Sequence, residues 1–92
     1  MSWVEQIRNL LIQKLSALKV EVSNESSRHR GHTEAIKGGG HYSVLVVSGL
    51  FKGKSLIERH RQIYDALNEL KPEIHALAIK AYSIEEAEKL HE

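Results

Sequence analysis

Apolar residues recur at steps of three and four near the start of the chain. Val4, Ile7, Leu11, Leu15 and Leu18 fall on one helical stripe, and Ser2 with Glu5 forms a capping box ahead of it. A helix is therefore predicted from about Ser2 to Leu18. The period then changes to two: Val20 and Val22 alternate with Lys19, Glu21 and Ser23, the pattern of a short half-buried strand. From Asn24 to Gly40 no period is visible, and Ser26, Ser27, Gly31 and the run Gly38-Gly39-Gly40 mark a long loop. Tyr42 to Ser48 contains Val44-Leu45-Val46-Val47, a β-branched run too short for a helix and suited to a central strand. A second capping box, Ser55 with Glu58, precedes Ile63, Tyr64, Leu67 and Leu70 at helical spacing, with Pro72 closing a helix over 55–70. Ile74 to Tyr82 has the apolar density of a strand, with His75, Leu77 and Ile79 on one face and Ala76, Ala78 and Lys80 on the other. A third capping box, Ser83 with Glu86, starts a short helix ending near Leu90.

This order, α-β-β-α-β-α, is that of a single α+β domain over residues 1–92. The strands over 42–48 and 74–82 are joined through a helix, so they are expected to pair in parallel with a right-handed crossover. That places the start of the last strand, at His75, beside the start of the middle strand, at His41. The loop carrying His29 and His32 enters at the same end. Topology thus gathers four of the chain's six histidines at one end of the sheet.

Composition narrows what those histidines do. Hydrophobic residues make up 41% and charged residues 27%, close to globular averages, and no apolar run approaches the ~20 residues that span a bilayer. The chain is expected in the cytoplasm, or in an organelle after processing. It has no cysteine, which excludes disulfides, thiolate metal ligands and cysteine nucleophiles. Any metal must be held by His, Asp or Glu, or by groups on a partner. A histidine from the loop and one from a strand make half a metal site, and two protein ligands are too few to hold an ion alone. Taken singly, His75 also reads as a packed strand histidine, and His29 and His32 as solvated loop residues. No serine stands in a nucleophile-elbow context, and no paired carboxylates flank the histidines, so the chain is read as a binding domain rather than an enzyme.

Charge is unevenly distributed although the net charge is only +1. Residues 52–61 hold Lys52, Lys54, Arg59 and Arg61 against Glu58, and the stretch from Ser83 is correspondingly acidic. With His60, the basic residues surround the start of the 55–70 helix, where free N–H groups favour anions and phosphate is a natural guest. The competing reading is a solvated basic helix face.

Three stretches together resemble the BolA-like protein family. They are Asn24-Glu25-Ser26 followed by His29; Val46-Val47-Ser48 followed by Phe51-x-Gly53 and Arg59-His60-Arg61; and Ile74-His75-Ala76-Leu77. The resemblance covers nearly the whole chain. It implies a fold similar to class II KH domains, α-β-β-α-α-β-α with a three-stranded mixed sheet and a helix-turn-helix near residues 50–70. It also implies a heterodimer with a monothiol glutaredoxin, the chain alone being a monomer and binding no cofactor. In such a pair a [2Fe-2S] cluster is shared, with His75 and His29 as this chain's ligands. The partner's cysteine and a bound glutathione hold the other iron. Because the loop carries additional histidines, His32 and His41 stand as alternatives to His29. A second role implied by the resemblance is DNA binding through the helix-turn-helix, with Lys52, Lys54, Arg59, His60 and Arg61 toward phosphate. The family's Thr-Pro-x-x-Trp-like ending is replaced here by Ser83-Ile84-Glu85-Glu86-Ala87.

Overall fold

A computed structural model describes residues 2–25 and 40–90. The chain runs through helix α1 (Trp3–Leu15), strands β1 (Lys19–Asn24) and β2 (Gly40–Val47), and a single 3-10 turn at Gly49–Phe51. Helix α2 (Leu56–Ala66), a 3-10 segment (Asn68–Glu73), strand β3 (Ile74–Tyr82) and helix α3 (Ile84–Lys89) complete it. The fold is α+β with one three-stranded mixed sheet in the order β1-β2-β3. β1 pairs antiparallel with β2, and β2 pairs parallel with β3, as the crossover requires.

Two expected boundaries move for local reasons. α1 stops at Leu15 rather than Leu18, because Ser16 takes a left-handed conformation (φ 50°) that ends the helical hydrogen bonding. The predicted 55–70 helix ends as an α-helix at Ala66 and continues as the 3-10 segment, in which Pro72 is accommodated rather than excluded. The first helix expected of a helix-turn-helix is no more than the turn Gly49–Phe51. Gly53 follows it at φ +76°, a conformation that favours glycine and reverses the chain into α2.

The core lies between the helices and one face of the sheet. Ile7, Leu11 and Leu15 of α1 meet Tyr42, Val44 and Val46 of β2, Phe51 of the turn, and Ile63, Ala66 and Leu67 of the α2 region. Val20 and Val22 join from β1, and Leu77 and Ile79 from β3. The alternation predicted for β1 is thus observed, as is that of Leu77 and Ile79 against Ala78 and Lys80 in β3. Ser48 is a fully buried polar residue of this interior: its hydroxyl donates to the Leu15 carbonyl at 2.7 Å and accepts from the Leu50 N–H at 3.1 Å. One side chain therefore closes the end of α1 and opens the turn after β2. Among the described residues, no helix is long and apolar enough to cross a membrane.

Candidate functional site

The start of β2 and the start of β3 come together as the topology requires, with Gly40 paired to Ile74 and His41 to Ala76. That step advances one residue on β2 and two on β3, so His75 is the residue left over, a β-bulge. The bulge corrects the parity expected from the sequence: His75 does not follow the face of Leu77 and Ile79. It is exposed, whereas Leu77 and Ile79 are half-buried against the core. Its imidazole instead stacks on that of His41, with ring centroids 5.1 Å apart and planes 30° apart. Two of the four histidines expected at this end are therefore in contact. His29 and His32 lie outside the described residues.

The backbone beneath the pair is tightly specified. A Cβ at Gly40 would stand 2.3 Å from the Tyr42 ring, so only glycine lets that ring lie across the start of β2. The Tyr42 hydroxyl has its pKa raised, first by burial and then by the nearby Glu73 carboxylate, and it stays protonated at neutral pH. On the other side His75 borders a groove of about 380 Å3, floored by Leu67, Ile74 and Leu77 and edged by Tyr64, Asn68 and Lys71. No group of three or more His, Asp or Glu able to hold a metal ion occurs among the described residues. The arrangement offers an accessible imidazole backed by a second one, and requires other ligands to complete a metal site.

The basic constellation separates into three kinds of residue. Arg59 was expected to face phosphate, but its guanidinium is buried within the domain. Its Nε donates to the Lys54 carbonyl at 3.0 Å, and Nη1 to the Ala81 carbonyl at 3.0 Å. Nη1 and Nη2 grip the two oxygens of Glu86 at 2.6 and 3.2 Å, and the group lies 5.9 Å from the Phe51 ring centroid. Arg59 is thus a structural clasp between α2, β3 and α3, and it is unavailable to a nucleic acid. Lys52 is exposed and paired with Glu85 at 3.2 Å, and His60 is half-buried. Lys54 and Arg61 remain exposed, with no ion pair among the described residues.

The acidic end of the chain serves the same clasp. Glu86 closes the α3 capping box with Ser83 while it holds Arg59. The guanidinium, reinforced by the Ser83 N–H, lowers its pKa to about 2. Sequence reading missed this pair because each member already had a local role, Arg59 in a basic run and Glu86 in a capping box. The signal available was the opposite local charge of the two segments.

Comparison with known proteins agrees with this architecture. Residues 11–86 match the BolA-like protein family. The chain is 36% identical over 89 residues to the DNA-binding transcriptional regulator BolA of Escherichia coli strain K12, covering 96% of this chain and 82% of that protein. It is 42% identical over 83 residues to SufE-like protein 1, chloroplastic/mitochondrial, of Arabidopsis thaliana, an alignment taking in 83% of this chain but only 22% of that longer protein. The solved BolA domain of SufE1 from Arabidopsis thaliana superposes with a TM-score of 0.78 at 40% identity, over 94% of this chain and 96% of that one. With the family match over residues 11–86 and these identities over most of its length, the chain belongs to the BolA-like protein family.

Proposed function

We propose that this protein is a non-enzymatic adaptor that lends histidine ligands to a [2Fe-2S] cluster shared with a monothiol glutaredoxin and its glutathione. The observation that carries this reading is His75: an exposed imidazole on a bulge, stacked on His41, beside an open groove. Neutral imidazole is a good ligand for iron, and such a ligand on a rigid strand is what a shared site needs from one of its two proteins. The donor set suits half a site, and glutaredoxin and glutathione thiolates would supply the rest. When bound, the cluster supplies the redox chemistry; this chain's residues orient and present a nitrogen.

The test is spectroscopic. Added to cluster-loaded monothiol glutaredoxin, the wild-type chain is expected to change the visible absorption and circular dichroism, and His75→Ala to abolish most of that change. Equal spectra for the two proteins would rule out His75 as a ligand. Separate His29→Ala, His32→Ala and His41→Ala variants then identify the loop ligand.

A second reading, DNA binding, is favoured by the likeness to the DNA-binding transcriptional regulator of Escherichia coli and by the exposed Lys54 and Arg61. With Arg59 committed to Glu86 and Lys52 to Glu85, only two of the four basic residues are free for phosphate. Duplex DNA binding would then lose affinity with log[salt] at a slope of roughly −2, and Arg61→Ala would remove about one unit of it. Absence of binding at low salt would eliminate this reading.

A further inference from the structure

Among the described residues, no strand pairs with the outer edge of β3. In a parallel ladder, alternate residues direct both backbone groups to one side. The Tyr82 carbonyl accepts from the Ser48 N–H on the β2 side, so Lys80 and Ala78 also bond inward. The intervening residues point outward, and Ala81 shows it, because its carbonyl is capped from outside by Arg59. Leu77 and Ile79 therefore present two N–H and two C=O groups on the open edge, with no partner among the described residues. Arg59 blunts the edge at Ala81, and the bulge at His75 ends its regular run at the other side.

We propose that this edge pairs with the same edge of a second copy of the chain, antiparallel about a two-fold axis through Ala78, to give a continuous six-stranded sheet. The inference is independent of the cluster reading. This register uses both open residues fully: Leu77 of each copy faces Ile79 of the other, and each pair exchanges two main-chain hydrogen bonds. It asks nothing of the capped Ala81 carbonyl. On the open face, Ala78 meets its own counterpart at the closest spacing in the ladder, where a small exposed side chain fits. Lys80 falls opposite Ala76, so no like charges meet. Apolar Leu77 and Ile79 come together beside the core-facing side. α2 runs antiparallel to β3, with Arg59 reaching Ala81 while Leu67 shares the groove with Ile74 and Leu77. The two-fold therefore lays exposed Arg61 of one α2 toward the end of the other that carries Asp65, with Lys71 lining the same groove. Four edge hydrogen bonds of modest net worth make a weak pair, with half-association at roughly 1 mM.

The chain has no cysteine, so a single introduced one reports the register. On the axis the paired Cα atoms stand about 4.5 Å apart, within disulfide reach, whereas two copies of residue 76 are separated by about 14 Å. Ala78→Cys is expected to oxidise to a dimer at least tenfold faster than Ala76→Cys, both sites being exposed on the same strand. Sedimentation of the wild-type chain should show association at millimolar concentration, and Ala78→Lys, which sets two ammonium groups face to face, should abolish it. A chain that stays monomeric at that concentration would overturn the proposal. So would Ala76→Cys cross-linking as fast as Ala78→Cys, whether the edge takes a different register or a strand from another protein.

Discussion

Gly40 is held by what surrounds it rather than by its own backbone. The Tyr42 ring occupies the space a Cβ would take, at 2.3 Å, and Tyr42 is itself a buried core residue, so neither side has room to yield. Gly40→Ala must push the ring outward and carry the start of β2, with His41, away from β3. The expected cost is about 1–3 kcal/mol, read as a lowered denaturant midpoint. A midpoint unchanged from wild type would show that the ring has an alternative seat. The glycine run was legible in the sequence as slack for a loop; that its last member is a packing position was not, because that depends on where a side chain two residues later comes to rest. Arg59 teaches the same lesson with charge. Its stretch of sequence is basic, and its actual partners include a carbonyl and a carboxylate from segments 22 and 27 residues away.

Helix α3 is anchored by polar contacts, since none of its residues is buried. Its hold on the domain includes the Arg59–Glu86 fork and the Lys52–Glu85 pair, and in both the carboxyl pKa is lowered. For Glu85 the cause is foremost the Lys52 hydrogen bond, and for Glu86 the Arg59 hydrogen bonds. A folded-state pKa below the unfolded one stabilises the native state above the unfolded value, and that stability is lost as the pH falls through the folded one. For Glu86 the window runs from the ordinary 4.5 down to about 2. The thermal stability of the wild-type chain is therefore expected to fall between pH 5 and pH 2 by more than that of Glu86→Gln. Parallel pH profiles for the two proteins would show that the fork contributes no pH-dependent stability. The capping boxes that start α2 and α3 could be read directly from Ser55-Glu58 and Ser83-Glu86, and both are formed. At Ser2 the hydroxyl accepts from the Glu5 N–H, the forward half of that box.

For the molecule entire, element types and strand pairing followed from periodicity and from the connection between strands. Alternation placed the faces of β1, a β-branched run marked β2 as the central strand, and a helix between β2 and β3 left parallel pairing as the economical arrangement. What escaped was register. A single extra residue in β3 is invisible to a period-two count, because Ile74-His75-Ala76-Leu77 is apolar enough to satisfy either face. Of the candidate site, the meeting of His75 and His41 at one end of the sheet was legible, and the orientation that makes His75 accessible was not.

That extra residue has a consequence for how the protein tolerates change. His75 has no main-chain partner in the β2–β3 register and no place in the core, and beyond its stack on His41 the fold makes little demand on its side chain. Substitution there should leave the chain as stable as before. Whatever requirement holds histidine at this position must come from outside the domain, and the position is free to answer to a binding partner alone.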